Sequence, residues 1–545
     1  MQFTKKKQKN KIKVMQRKSS MSLMPVVYAL ILLVGLAMGY ALNNKTSGGS
    51  FFNKNSNTAL QEISNLIQSK YVDPIAVDSL NEFGINEMLK HIDPHSVYIP
   101  AAELLAVNND MEGQFVGIGI MYNVIDDTVN VINVLKDGPA LKAGLQVGDK
   151  LIIANDTINL VSKNQKAKDV RSYLRGKEGT SVQLKIIRDG KQKNIRIVRA
   201  SIPIPSIDVA YKIDSITGYI KINKFAERTY EEFMQSLESL HKQKISKLIV
   251  DLRDNSGGYM HAATAIADEF LDGEKLIVYT QGNKSEKTVF HCKKEGLFEK
   301  GNLIVLIDEY TASASEVLTG ALQDWDRATI IGRRSFGKGL VQQQFNLSNG
   351  GALRLTVARY YTPLGRNIQK PYTNGIDEYK NELEHRYYDG ELMNKDSISL
   401  VGKSIYKTPK GKIVYGGGGI IPDVYVPIDS LIIDTTLNNY KLVGSFENFI
   451  FKYFIQHQQQ LKLYKNFDNF DKGFTLANDD WNSFELYAKK DSIKFNNGII
   501  KNKPFLEKRA KENLIKFLFS KEDYFKYKNL NDNFIKKSLE IKASN

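Results

Sequence analysis

The sequence predicts a multidomain protein of mixed α/β (α+β) class with an apolar helix near its N-terminus. Its 545 residues exceed the usual size of a single domain. The residue pattern changes along the chain from helical spacing to short β-type runs with glycine turns, and then to alternating strands and helices. A composition of 42% hydrophobic and 25% charged residues excludes a largely disordered chain.

The net charge of +16 is concentrated at the two ends of the chain. Residues 1–20 carry eight Lys or Arg and no acidic residue, and residues 441–545 carry 20 Lys or Arg against 13 Asp or Glu. Residues 21–440 therefore have a net charge of only +1. Because nucleic-acid binding needs clustered positive charge, we expect no nucleic-acid partner. The single cysteine, Cys292, excludes an internal disulfide framework.

The apolar run near the N-terminus predicts a membrane helix. Residues 19–44 contain no charged residue, and about 20 apolar residues cross a bilayer as a helix. We assign a basic cytoplasmic tail (1–20), a transmembrane anchor (21–42) and a linker (43–57), which places the remaining chain on the periplasmic side of the cytoplasmic membrane. A cleavable signal peptide is the alternative, although the apolar run is long for one.

Four further segments follow from the pattern: a helical part (58–112), a β-rich domain (113–200), an α/β core (201–430) and a C-terminal extension of unassigned role (431–545). In the β-rich domain, Arg188-Asp189-Gly190 predicts a hairpin turn. In the core we predict strands at 218–222, 248–252 and 303–307, and helices at 230–241, 262–271 and 315–323.

A glycine-containing loop opens the β-rich domain in the string QFVGIGIMYN. The loop consists of Gly117, Ile118, Gly119 and Ile120. The string DGPALKAGLQVGDKL follows at 137–151, and the two strings in this order resemble a PDZ domain. The resemblance implies that backbone N–H groups of the loop hold the C-terminal carboxylate of a peptide, which adds as a strand to the sheet. A β-barrel fragment with glycine bulges is the alternative.

Four strings in the core place a serine and a lysine in unusual settings: DLRDNSGGYM, DEYTASASEVLTGALQDWDRA, GRRSFGKGLVQQ and ALRLTVARYYTPLGRNIQ. Ser313 follows a predicted buried strand and begins a predicted helix, where unsatisfied N–H groups can stabilise an oxyanion. Lys338 lies between two glycines and can act as a base if burial makes its amine neutral. Gln342 shares a face with Lys338 and can hold that amine.

Together with the PDZ-like segment and the string IDPHSVYI (92–99), these strings resemble the C-terminal processing peptidases, or tail-specific serine proteases, over about residues 58–428. The resemblance implies an α/β core of the crotonase/Clp-like type and catalysis by a Ser–Lys dyad, without a metal or other cofactor. The positions that carry over are Ser313 as nucleophile, Lys338 as general base and Gln342 as its glutamine partner.

Expected oxyanion donors are the backbone N–H groups of Ala314 and of the SGG turn, with Gly258 favoured over Gly257. Glu316 is expected to be a supporting residue. The spacing Ser313-x-x-Glu316 also fits a capping box, in which Ser313 would contribute only helix stability.

Asp324 carries over as a second supporting residue, about three helical turns after Ser313. Its alternative role is an ion pair with Arg327 or Arg333, because a carboxylate is unfavourable at a helix C-terminus.

Several chemically suggestive residues have simpler explanations. His95 follows a turn-forming Asp-Pro pair, and we expect a structural role for it. Asp251 and Asp254 lack the further ligands of a metal site. The glycines at 416–419 lack the Lys and Ser/Thr of a phosphate-binding loop.

The sequence therefore predicts a membrane-anchored serine endopeptidase that binds substrate C-termini through its PDZ domain. Expected partners are proteins or peptides with accessible C-termini and, through residues 21–42, the membrane; an adaptor or activator and an oligomer stay open. Two other functional classes also stay open, namely a non-catalytic PDZ scaffold and a binding protein built on the same α/β fold.

Overall fold

The structure is a computed structural model. It describes residues 24–43, 59–161, 167–400, 402–428 and 440–541. The basic tail predicted at 1–20 and almost all of the linker predicted at 43–57 lie outside the described residues. The chain divides into two compact units, Met1–Gly84 and Ile85–Asn545.

The N-terminal unit contains helix α1 (Met24–Asn43), helix α2 (Ala59–Lys70) and the first part of helix α3 (Val77–Lys90). Helix α2 has no buried residue, although its apolar residues recur at helical spacing. Among the described residues, no helix combines the length and the hydropathy needed to cross a membrane. The structure thus does not show the anchor predicted at 21–42.

The larger unit contains the remaining elements. Its strands are β1 (Val97–Ile99), β2 (Gln114–Gly117), β3 (Ile120–Ile125), β4 (Thr128–Val134), β5 (Lys150–Ala154), β6 (Ile158–Asn159), β7 (Ser181–Arg188), β8 (Lys191–Val198), β9 (Ala200–Pro203), β10 (Ile207–Lys212), β11 (Thr217–Ile222), β12 (Lys247–Asp251), β13 (Leu276–Gln281), β14 (Thr288–His291), β15 (Asn302–Ile307), β16 (Ala328–Gly332), β17 (Leu340–Asn346), β18 (Ala352–Tyr361), β19 (Ile405–Lys407), β20 (Ile413–Tyr415) and β21 (Val424–Tyr425). Its further helices are α4 (Ala101–Glu112), α5 (Pro139–Lys142), α6 (Ala167–Leu174), α7 (Thr229–Lys242), α8 (Met260–Asp268), α9 (Ala314–Asp324), α10 (Ile376–Tyr388), α11 (Tyr440–Leu461), α12 (Phe467–Gly473), α13 (Asn478–Lys490), α14 (Asn497–Lys501), α15 (Lys503–Leu518), α16 (Lys521–Leu530) and α17 (Asn533–Glu540).

The β-rich domain is a six-stranded antiparallel sheet in the order β3-β4-β5-β7-β8, with β6 paired to β5. Strands β2 and β9 pair where the chain enters and leaves this domain. The predicted hairpin turn is confirmed: Asp189 and Gly190 join β7 to β8 with φ angles of 50° and 74°. Both residues need positive φ because a two-residue turn of this kind matches the twist of the strands.

The α/β core is built on a six-stranded sheet in the order β10-β11-β12-β15-β16-β21, parallel except for β10. The strands predicted at 218–222, 248–252 and 303–307 are β11, β12 and β15, and the three predicted helices are α7, α8 and α9. Apolar faces of these helices pack with the sheet in one core cluster that includes Phe233, Phe270 and Leu318. The core is stabilised because the apolar side chains of the sheet and of the helices are removed from water.

A second, antiparallel sheet completes the catalytic half of the molecule. It has the order β1-β18-β13-β14, and β17 pairs with β18. In the β17–β18 register, Gln342 lies opposite Thr356 and Gln344 lies opposite Arg354. The string IDPHSVYI ends in β1, which pairs with β18 on the edge opposite β17, the strand that carries Gln342.

The C-terminal helices α11 to α17 form an aromatic-rich bundle. Its core includes Phe446, Phe470 and Phe484, all fully buried. The bundle contacts the β-rich domain, because Ile125 of β3 belongs to the same apolar cluster. It also contacts the α/β core, where Phe534 packs with residues of β10 to β16. The extension is thus folded, and packs on both neighbouring domains.

Candidate active site

Ser313 and Lys338 line one cleft beside the carboxyl ends of the parallel strands. The loop after β15 leads to Ser313, the SGG turn follows β12, and Lys338 lies just before β17. The cleft has a volume of about 510 Å³, and Gly258, Ala314 and Gln342 also line it. The structure thus brings together every residue predicted for the nucleophile, the base, the base's partner and the oxyanion donors.

Ser313 immediately precedes α9 in a strained conformation, with φ of 56° and ψ of −117°. A left-handed φ costs a non-glycine residue about 1–2 kcal/mol, and such strain is often found at functional sites. The capping-box arrangement predicted for Ser313 and Glu316 is present, and the Ser313 backbone N–H donates to the Glu316 carboxylate at 2.8 Å. Helix capping is therefore one role of this segment, and the strained φ and the position of Ser313 in the cleft favour a second, catalytic role.

Glycine is required beside Ser313. A Cβ atom at Gly257, which has φ of 96°, would lie 2.8 Å from Ser313 Cβ and 2.6 Å from the Ala312 carbonyl oxygen. The SGG turn can therefore approach the serine only because this position carries no side chain.

Lys338 is tethered by its predicted partner. Its Nζ donates to Gln342 Oε1 at 2.9 Å. Burial lowers the pKa of Lys338, and the positive charge of Arg354 lowers it further, while the carboxylates of Glu316 and Asp93 act in the opposite direction. A lysine with a lowered pKa holds a larger neutral fraction at a given pH, and only the neutral amine can accept a proton.

The IDPHSVYI turn holds Gln342 from the other side. Gln342 Nε2 donates to the His95 carbonyl oxygen. Asp93 organises the turn by accepting from the backbone N–H groups of His95 at 2.7 Å and Ser96 at 2.9 Å. This link is not predictable from the string itself, because it depends on the pairing of both β1 and β17 with β18.

The His95 ring is placed as a structural group. Its Nε2 lies 2.7 Å from the Tyr379 hydroxyl, and burial lowers the His95 pKa to about 4, helped by the charge of Lys338. The ring is thus neutral at physiological pH. It is oriented by Tyr379, which agrees with the structural role predicted for His95.

Glu316 connects the serine segment to the lysine segment. It is fully buried, and its carboxylate accepts four hydrogen bonds. Two come from the backbone N–H groups of Ser313 at 2.8 Å and Lys338 at 2.9 Å. The other two come from the Gly337 N–H at 2.7 Å and the Ser335 hydroxyl at 2.5 Å. Burial raises the pKa of Glu316, and these donors oppose the rise.

Two backbone N–H groups in the cleft are available for an oxyanion. In the described part of the chain, neither the Gly258 N–H nor the Ala314 N–H donates a hydrogen bond within the protein. The Gly257 N–H, by contrast, donates to Asn255 Oδ1 at 2.9 Å. This difference supports the sequence-based preference for Gly258 over Gly257.

Asp324 lies at the other end of α9, away from Ser313. It is fully buried and pairs with Arg366 at 2.5 Å, and it accepts from the Leu364 N–H at 3.0 Å. The predicted ion pair with Arg327 or Arg333 is wrong. Those side chains turn to other partners: Arg327 to backbone carbonyls and Arg333 to Glu309. Asp324 holds the loop after β18, which sequence separation alone could not reveal.

The PDZ-like loop lies where β2 ends and β3 begins. Gly119 has φ of 82°, and a Cβ there would lie 3.1 Å from Ile202. The Ile118 and Gly119 carbonyl oxygens accept from Ala140 at 2.8 Å and Leu135 at 3.0 Å. Strand β3 is the end strand of its sheet, so one of its edges is unpaired within that sheet. A peptide can add as a strand at such an edge.

Three other chemically suggestive side chains, those of Ser315, Asp251 and Cys292, are buried. Ser315 is fully buried in α9 and donates to the Asn255 carbonyl at 3.0 Å, so it is inaccessible to a substrate. Asp251 is buried and pairs with Arg253 at 2.6 Å. Within the described ranges, no group of three His, Cys, Asp or Glu side chains could hold a metal ion. Burial raises the pKa of Cys292 to about 12.

Comparison with known families assigns three parts of the chain. Residues 216–378 match the profile of peptidase family S41, and residues 116–198 match that of the PDZ domain. Residues 438–520 match a family of unknown function, DUF8443.

Two sequence relatives are named as proteases, and one solved structure is similar. The chain is 36% identical over 317 residues to a carboxy-terminal-processing protease of Bartonella bacilliformis. This match covers 56% of this chain and 70% of the relative. It is also 33% identical over 334 residues to a "Probable CtpA-like serine protease" of Staphylococcus aureus. This second match covers 60% of this chain and 65% of that relative, which is just under two thirds of its length. A solved photosystem II D1 C-terminal processing protease matches with a TM-score of 0.36 at 23% identity, over 68% of this chain and 87% of that one.

The clustered serine and lysine, the α/β core and the PDZ-type module thus agree with the sequence relatives. The chain belongs to the carboxy-terminal-processing serine proteases of peptidase family S41, and it carries a PDZ domain.

Proposed function

We propose that the chain is an endopeptidase that cleaves with a Ser313–Lys338 dyad and captures the C-termini of its substrates in the PDZ groove. The observation that carries the proposal is the Lys338 amine, which is half-buried, tethered to Gln342 and exposed to the same cleft as Ser313. Such an amine is suited to accept the proton of a serine hydroxyl, because its pKa is lowered.

The first half of the reaction forms an acyl-enzyme. Ser313 Oγ attacks the scissile carbonyl carbon while its proton passes to Lys338 Nζ. The oxyanion accepts hydrogen bonds from the backbone N–H groups of Gly258 and Ala314. When the intermediate collapses, the C–N bond breaks, and Lys338 gives its proton to the leaving amine.

The second half releases the acyl product. A water gives a proton to neutral Lys338 and attacks the ester carbonyl, and the same N–H groups hold the new oxyanion. The bond to Ser313 Oγ then breaks, and Lys338 returns the proton to that oxygen. Throughout, Gln342 keeps the amine in place and Glu316 fixes the two backbone segments that carry the dyad.

The direct test is cleavage of a loosely folded protein with an apolar C-terminal tail. We expect Ser313→Ala and Lys338→Ala each to reduce kcat by about 10³-fold or more, because dyad members act as a unit. Ser239→Ala and Lys242→Ala on the exposed face of α7 are matched controls and should cleave like the wild type. Cleavage at the wild-type rate by either dyad variant would contradict the dyad. Tail binding without any cleavage would favour the scaffold alternative.

The role of the PDZ groove is tested separately. Gly119→Val should abolish binding of a peptide with a free C-terminal carboxylate, since valine disfavours a φ of 82° and would crowd Ile202. Gly190→Val, at a comparable φ of 74° in a distant hairpin turn, controls for backbone strain. An amidated peptide that binds the wild type as tightly as the free acid would contradict carboxylate capture.

We also propose, from the sequence, that residues 21–42 anchor the protein in the membrane. The charge-free stretch 19–44 and the eight cations before it support this. The full chain should sediment with membranes and resist alkaline extraction, and a chain without residues 1–42 should not. Recovery of the full chain in the supernatant would contradict the anchor.

A further inference from the structure

Three cationic side chains line the catalytic cleft, and Asp110 is the single acidic residue among the described residues that line it. Lys224 pairs with Asp110 at 2.5 Å, which neutralises both. Lys338 donates to Gln342 and is the proposed base. The third cation, Arg354 on β18, donates to neither dyad residue, and its only part in the chemistry proposed above is that its charge lowers the pKa of Lys338.

Arg354 is held in the cleft by neutral groups. Its Nη2 donates to Gln344 Oε1 at 3.1 Å, and Gln344 Nε2 in turn donates to Asn108 Oδ1 at 3.1 Å. This chain of bonds runs from the β17–β18 hairpin to α4, which lines the cleft opposite. Among the described residues, no carboxylate lies within ion-pair distance of Arg354, whereas the buried guanidinium groups of Arg333, Arg334 and Arg366 each have one. The guanidinium is therefore positioned but not neutralised.

A guanidinium has five N–H donors in a planar fork that matches a carboxylate. In Arg354 one of these donors is used by Gln344, and the side chain is only partly exposed. A partly desolvated charge without a counter-ion is unfavourable unless a ligand supplies one. The walls of this cleft receive a polypeptide, so the counter-ion would come from an acidic side chain of that polypeptide.

We propose that Arg354 is a specificity-determining residue that binds an Asp or Glu side chain of the substrate within a few residues of the scissile bond. The inference rests on the proposed function, since it assumes that the substrate lies in this cleft. It names a substrate class, polypeptides with an acidic residue near the cleavage site, that is separate from any preference for the C-terminus held by the PDZ domain.

The test compares substrates within each enzyme variant. After the cut site of one quenched fluorescent peptide is mapped, Glu, Gln and Lys are placed in turn at each of the three residues on either side. For the wild-type full chain, we expect Glu at one of these positions to raise kcat/KM about tenfold over Gln, as for one charge-assisted pair. Arg354→Gln should abolish this ratio, and Arg354→Glu should make Lys the preferred residue.

Comparing ratios is necessary because Arg354 also lowers the pKa of Lys338, so its removal changes the rate for every substrate. That shared effect cancels in the Glu/Gln ratio. Arg354→Lys keeps the charge and should retain part of the preference, which guards against misfolding of the other variants. Arg359→Gln, on the same strand but exposed and bonded to Tyr372, is the matched control and should keep the wild-type ratio.

Two results would overturn the proposal: no preference for Glu at any position in the wild type, or a preference that survives in Arg354→Gln. Neither result bears on the dyad, which is judged by Ser313→Ala on the same peptides. If Ser313→Ala cleaves like the wild type, the proposed function fails, whatever the charge preference.

Discussion

Lys338 Nζ donates to Gln342 Oε1 at 2.9 Å, so a carboxylate introduced at residue 342 would lie beside the amine. Gln342→Glu is almost isosteric, and its negative charge would favour the protonated lysine and raise the pKa of Lys338. Because only the neutral amine accepts a proton, we expect kcat/KM to fall at pH 7 and to recover at higher pH. A pH profile of kcat/KM measures this shift directly.

Gln343→Glu is the control for the pH profile. Gln343 is exposed and points to the opposite face of β17, so the added charge is screened and the profile should stay in place. An unshifted profile in Gln342→Glu would mean that Lys338 is not the group whose deprotonation limits the rate.

The Glu316 carboxylate is the group on which both halves of the dyad depend. Glu316→Gln replaces one acceptor oxygen with an NH₂ group, which must face two N–H or O–H donors. We expect a loss of about 1–3 kcal/mol in the free energy of unfolding, since buried donors lose their acceptor. We also expect kcat to fall more than KM rises, because the Ser313 and Lys338 backbones are no longer held together.

Chemical denaturation and steady-state kinetics give the two readouts for Glu316→Gln. Glu378→Gln on α10 is an exposed control that should change neither quantity. A destabilised protein with wild-type kcat would show that Glu316 serves only stability.

At the level of elements, the sequence predicted the regular parts well. The β7–β8 hairpin and helices α7 to α9 follow from local signals, a two-residue turn and a 3.6-residue apolar period, that need no knowledge of distant residues. The alternative of an ion pair at Asp324 named the wrong arginine, because a buried charge is satisfied by whatever the fold brings near it. Arg366 is 42 positions away in sequence and reaches α9 only through the packing of the loop after β18.

The Asp324–Arg366 pair predicts a strong dependence of α9 on its last residue. Both side chains are fully buried, so Asp324→Asn leaves an uncompensated positive charge and should lower the free energy of unfolding by about 3–5 kcal/mol. Arg366→Met should be similarly costly. The double variant should regain part of the loss, since no unpaired charge remains.

Thermal and denaturant unfolding of the two single variants and the double variant measure this coupling. Lys537→Met and Glu540→Gln, at an exposed pair on α17, form the control cycle and should show a coupling of less than about 1 kcal/mol. Strictly additive losses in the buried pair would contradict the proposed coupling.

For the larger unit as a whole, the C-terminal helices provide the connection between the PDZ domain and the catalytic core. On the PDZ side, Asp126 pairs with Lys452 at 2.8 Å and Lys490 at 2.7 Å. On the core side, Asp532 pairs with Arg253 at 2.7 Å. The sequence predicted helical patches here but not their partners, because an amphipathic face indicates burial without indicating what covers it.

This double attachment predicts that the PDZ domain is held by the bundle rather than by its two chain connections alone. Ile125 on β3 is buried in the aromatic cluster of the bundle, so Ile125→Asp would place a carboxylate there and favour separation of the two surfaces. We expect hydrogen exchange to become faster in β3, β4 and α11, while β11, β12 and β15 of the core keep their protection.

Cleavage of a tailed protein should fall, because the bound C-terminus is no longer held at a fixed place relative to Ser313. Val198→Asp, on β8 of the same domain and 52% exposed, is the control and should leave exchange and cleavage unchanged. If hydrogen exchange in a folded Ile125→Asp variant equals that of the wild type, the bundle does not hold the PDZ domain.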